Sequence, residues 1–137
     1  MSTRPTRTPK YAPGYMLLPQ QRDAIIIPVH MALAAFELGA GSADHYNTLA
    51  LFVNMAGELA LRMKTATETR AAMEAGRIAI VSVGKRFMNT SKFGLSGPEI
   101  LAVRECVTLG DILLKRANSA IVMAVRAAAN EYLREAA

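Results

Sequence analysis

Residues 96–130, SGPEILAVRECVTLGDILLKRANSAIVMAVRAAAN, decide how the chain folds. The stretch opens on a strong helix start, with Ser96 at the N-cap, Pro98 in the first turn and Glu99 reaching back to the cap. Beyond Glu99 there is no Pro and the only Gly is Gly110, so the pattern predicts one final helix of ~35–38 residues, ~55 Å at 1.5 Å per residue. Its apolar positions Ile100, Val103, Val107, Leu114, Ala117, Ile121, Ala124 and Ala128 are spaced almost as a heptad, with Gly110 in one slot. A second row runs through Cys106, Leu109, Leu113, Ala120, Met123 and Ala127. Two rows make a face too wide for one neighbour. Either the helix is central, clasped by the others and kinked at Gly110, or its far half, Ala120 to Leu133, protrudes and meets a second copy. In that homodimer Leu114, Ile121, Val125 and Tyr132 are the expected contacts.

Working back from there, the rest of the chain is helical in period, and nothing alternates as a strand does. A first helix is expected from Pro19 to the Gly39–Gly41 turn. Pro28 lies inside it, and we expect a bend rather than a break, because Ile25, Ile26, Val29, Leu33 and Phe36 continue one face across it. Ser42 or Asp44 is the expected cap of a second helix, whose buried face is Leu49, Phe52, Val53, Ala56, Leu59, Ala60 and Met63. Thr65 and Glu68 suggest a capping box opening the third helix. That helix runs through Met73, Ile80, Val83 and Phe87 to about Asn89, with Gly94 as terminator. The expected fold is all-α, a four- to five-helix bundle with a long C-terminal helix and an extended basic N-terminal arm. Residues 1–18 form the arm and residues 19–137 a single domain.

The arm carries most of the charge. Arg4, Arg7, Lys10 and Arg22 give residues 1–22 a net +4, out of +5 for the whole chain, because the first acid is Asp23. Prolines 5, 9 and 13 exclude an amphipathic presequence helix, and Pro13, Gly14 and Pro19 interrupt any secretory apolar run. The longest apolar run, AIIIPVHMALAAF, is shorter than the ~20 residues that span a bilayer. No membrane association is expected, and a cytoplasmic location is. At 137 residues, with 52% hydrophobic and 20% charged, the chain suffices for one ordinary core. Its single cysteine, Cys106, reads as a small buried hydrophobe.

Residues with the spacing that chemistry needs are scarce. His30 and His45 are the only histidines and form no H-x-x-x-H pair; His30 reads as a core residue and His45 as part of a helix start. VSVGKRF holds a GK without the rest of a phosphate loop, and there is no G-x-S-x-G. We therefore expect a protein that is not an enzyme, with no cofactor, no metal and no small-molecule substrate. The basic residues are the better lead. Lys85, Arg86 and Lys92 flank the turn after the third helix, beside Asn89, Thr90 and Ser91, where they would meet phosphates together with Arg4, Arg7 and Lys10. The alternative is that these cations only compensate the dipole of a helix C-terminus.

From KYAP through PVHMALAAFELGAG and TLALFVNMAGELA to GLSGPEI, the chain resembles a loose group of short helical accessory proteins of proteobacterial phages, prophages and plasmids. The resemblance rests on positions such as Tyr11, His30, Gly39, Asn54 and Glu99. It implies a setting, a mobile element in a bacterial cytoplasm, and transfers no catalytic or binding residue. The expected function is a regulatory or host-takeover binding protein touching nucleic acid through its arm. The alternative is an inhibitor or adaptor of a host protein complex, presenting an apolar face from residues 100–133 or from the first helix.

Overall fold

Short polar side chains set the starts of two helices. Ser42 accepts the His45 amide and Ser96 the Glu99 amide, while Glu99 Oε1 accepts the Ser96 N–H at 2.8 Å. Gln21 does the same for the Leu18 N–H at 2.9 Å, ahead of Pro19 in the first turn. A computed structural model describes residues 15–136, with side chains to residue 131. Arg4, Arg7, Lys10 and the Tyr132 side chain fall outside the described residues. Five packed helices result: α1 (Pro19–Glu37), α2 (Ala43–Arg62), α3 (Thr67–Thr90), α4 (Gly97–Arg116) and α5 (Ser119–Ala136). There is no strand among the described residues, only an isolated bridge between Met16 and Asn118.

The middle of the molecule is α2, which packs on all four other helices; its Leu49, Phe52, Val53, Ala56, Leu59 and Ala60 are buried. Against it α4 lies close, because Gly110 has no side chain. A Cβ there would sit 2.7 Å from Phe52 Cε2 and 3.1 Å from Ala56 Cβ. α4 continues through Gly110 as one helix, and the glycine serves the close approach of the two helices. Gly76 does the same for α3, where a Cβ would meet Cys106 Cβ at 2.6 Å. Cys106 is fully buried with its Sγ 3.5 Å from Met73 Sδ, and burial, helped by the Glu105 charge, pushes its thiol up to about 12.

The single long C-terminal helix is corrected. Ala117 is extended (φ −74°, ψ 145°), and the helix stops at Arg116 and restarts at Ser119. Asn118 Oδ1 accepts the Ile121 N–H at 2.9 Å, and Tyr15 accepts the Ser119 N–H at 2.6 Å. The chain then turns back so that Val122, Val125 and Ala129 bury on the core, with α2 as the main neighbour. The expected protruding half therefore packs within its own bundle.

Two further expectations change. Gly94 does not end α3. Ser91 does, in the left-handed region at φ 58°, and the early turn lets Phe93 stack on Phe87 (3.9 Å) and on Tyr46 (5.2 Å). Thr65 and Glu68 do not form a capping box. With Lys64 left-handed at φ 53°, the Thr65 hydroxyl instead donates back to the Ala60 carbonyl at 3.0 Å, and α3 starts after Ala66 without a side-chain cap. Pro28 behaves as expected in leaving one continuous α1.

Candidate functional site

The predicted basic cluster is only partly available for binding. Arg86 forks onto Glu99 (2.5 and 3.3 Å) and also donates to the Gly94 carbonyl at 2.9 Å, fastening the end of α3 to the start of α4. Burial pushes the Glu99 carboxyl up, but hydrogen bonds from Arg86 and Ser96 and the Arg86 charge outweigh it, so it sits below its ordinary value. The Glu99 hydrogen bond in turn raises Arg86. Thr90 is occupied as well, donating to the Arg86 carbonyl at 2.8 Å and accepting from the Lys92 amide. Lys85 and Lys92 stay exposed beside the turn.

The expected dimer contacts also move. Leu114 and Val125 are fully buried in the chain's own core, and Ile121 packs against that core. Neither buried side chain is accessible to a second copy. The histidines lie apart: His45 Nδ1 accepts the Ser42 N–H at 3.1 Å at the start of α2. His30, expected in the core, is exposed on α1 with its Nε2 3.9 Å from Asp111 Oδ2. Among the described residues no group of three His, Cys, Asp or Glu side chains is placed to hold a metal ion. No helix among them is long and apolar enough to cross a membrane.

The most distinctive surface lies on α1. Its inner face buries Ile26, Val29, Leu33 and Phe36. Its outer face carries Ile27, Met31 and Leu38, exposed by 52%, 66% and 83%, with exposed Ala34 completing the i, i+4, i+7, i+11 spacing. That spacing aligns the four side chains in one strip along the helix. Beside it, Arg104 pairs with Glu37 (2.5 Å) and His30 faces Asp111, so α1 and α4 run antiparallel with a polar seam between them. Leu101 and Ile112 are exposed on the outer side of α4. No family model, curated protein or solved structure matches the chain.

The sequence offers the first helix as an apolar docking face but does not tell which side stays outside, because α1 is apolar on nearly every side. Ile25, Ile26 and Ile27 point in three directions at 100° per residue, and only the packed neighbours reveal which one faces out. One signal was present: Ala24, Ile27, Met31, Ala34 and Leu38 repeat at three and four, as a second seam would.

Proposed function

We propose that the protein is a non-enzymatic helical binding protein that docks a partner protein helix along the outer face of α1. The observation that carries this reading is the exposed strip Ile27–Met31–Ala34–Leu38, on a helix whose opposite face is already buried. Large exposed apolar side chains in register cost solubility and are the usual mark of an interaction surface. A helix laid on such a strip reads anchors at i, i+4, i+7 and i+11. The role is regulatory or host-directed, in the bacterial cytoplasm, as the sequence resemblance suggests. If the partner is a second copy, it meets α1 rather than Leu114 and Val125.

The test is the double variant Ile27→Glu, Met31→Glu. Both positions are exposed, so thermal stability stays within about 0.5 kcal/mol of the parent. Light scattering reports the self-associated form, and capture from host lysate with nuclease treatment reports a foreign partner. Partner capture and any dimer should both disappear in the variant. A variant that still binds removes α1 from the reading.

Nucleic-acid contact is the second reading, favoured by the +4 charge of residues 1–22 and by exposed Lys85 and Lys92. Arg86 is left out of it, since Glu99 holds its guanidinium. Binding of this kind is sequence-blind and falls steeply between low and physiological salt. A gel shift at two salt concentrations, repeated without residues 1–14, decides it. Equal binding by the shortened chain would remove the arm's role.

A further inference from the structure

Helices α3 and α5 both lie on α2, yet they pack little against each other. The space left between them is a groove of about 540 Å³, within the range of small-molecule sites. Its walls are mainly apolar, with Val53 and Ala60 from α2, Met73 from α3 and Ala128 from α5. Small side chains keep it open. At Gly57 a Cβ would meet nothing within 4 Å, so the space above that glycine belongs to the groove.

The charges along the rim do not cancel evenly. Arg77 forks onto Glu74 at 2.8 and 2.6 Å, and that hydrogen bonding holds the Glu74 carboxyl below its ordinary range. Glu58 faces Arg62 at 3.6 Å. Both lining carboxylates therefore have their cation. Arg70, which also lines the groove, has no carboxylate partner among the described residues. An apolar trough with one uncompensated guanidinium on its rim is complementary to a molecule with an aliphatic body and one negative head.

We propose that the groove between α3 and α5 is a binding site for an amphipathic monocarboxylate, its chain lying over Gly57 between Met73 and Ala128 and its carboxylate on Arg70. Arginine suits that head because its planar fork meets a carboxylate with two parallel hydrogen bonds. The site is separate from the α1 strip and does not depend on it.

Isothermal titration of the full chain with decanoate and with decanol tests the assignment. Decanoate should bind saturably at one per chain, and decanol about tenfold or more weakly, since a charge-assisted hydrogen bond is lost. Arg70→Gln should weaken decanoate by about tenfold and leave decanol unchanged. Gly57→Met should abolish binding of both by filling the trough, without lowering the melting temperature, because an interior helical glycine is replaced by a good helix former. The Ile27→Glu, Met31→Glu variant should bind decanoate as the parent does. No saturable decanoate binding, or binding that survives Gly57→Met, overturns the site. Equal affinity for decanol, or an unaffected Arg70→Gln, overturns the anionic head. An acidic helical peptide that displaces decanoate from the groove at lower concentration overturns the small-molecule assignment in favour of a protein ligand.

Discussion

Pro28 and Asn118 invert the usual rule for where helices end. Pro28 lies inside α1, which runs unbroken from Pro19 to Glu37. Between α4 and α5, no proline or glycine stands at Ala117 or Asn118, and yet the helix stops. At Pro28 the missing N–H leaves the Ala24 carbonyl without its helical donor, but both residues are exposed and water can serve it. The penalty, ~3 kcal/mol, is set against Val29, Leu33 and Phe36, each worth ~1.5–3 kcal/mol when buried. Burial wins, and the helix continues. At Asn118 the balance runs the other way. A straight helix would carry Val122, Val125 and Ala129 away from the core they fill. Breaking it costs a few backbone hydrogen bonds, and the Asn118 side chain and the Tyr15 carbonyl supply replacements. The core positions both outcomes, and residue propensity adjusts their cost.

The largest effect should come from the core contact that holds α5 back. Val125→Asp places an unpaired carboxylate at a fully buried position and should cost more than about 4 kcal/mol. Urea unfolding measures the loss, and limited proteolysis should cut first near residues 117–119 as α5 detaches. If the variant keeps parental stability, α5 is not held by α2 and the account of the break fails. Next in size is Pro28→Ala. Because the helix already passes through this exposed site, restoring the N–H should stabilise by about 2 kcal/mol. A destabilised variant would mean that the proline shapes α1 in a way the core requires.

The same contrast shows what can be read from the sequence. Helix starts were legible where a short polar side chain and its partner lie three residues apart, as Ser96 and Glu99 do, because capping is a local interaction. The buried face of α2 was legible because its apolar residues recur on one side only. The break at Ala117 was not, since Lys115 and Arg116 in a last turn followed by an Asn cap is a weak signal inside an apolar periodic run. Ser91 replaced Gly94 as the end of α3 because the stacking of Phe93 on Phe87 and Tyr46 is a tertiary demand. The α1 strip and the groove are both products of packing. Arg70 is one cation among sixteen basic residues in the sequence, and only its neighbours' ion pairs single it out.

A smaller effect tests the break itself. Asn118→Ala removes the side-chain acceptor for the Ile121 N–H and should cost about 1 kcal/mol. Hydrogen exchange should quicken over residues 119–122 and stay unchanged over residues 97–100. Exchange that is unaltered at both starts would leave Tyr15 as the determinant of the break.

The smallest prediction separates the two helix starts by pH. At α4 the cap uses a charged group, Glu99, whose carboxyl lies below its ordinary value of 4.5; at α5 it uses the neutral amide of Asn118. A carboxyl with a depressed folded pKa leaves the unfolded chain the stronger proton binder. The stability it contributes is therefore present at neutral pH and lost as pH falls through its ordinary value and then its lower folded value. The partner Arg86 is 42% exposed on its side chain against 15% for Glu99, so solvent screens the pair and only about 0.5 kcal/mol is expected. Between about pH 6 and pH 3, the parent should lose about that much more stability than Glu99→Gln in matched urea titrations. Over the same interval, exchange at residues 97–100 should accelerate relative to residues 119–122, after correction for intrinsic rates. If the two starts lose protection together, the Arg86–Glu99 pair contributes nothing local, and α4 is held, as α5 is, by its buried side chains alone.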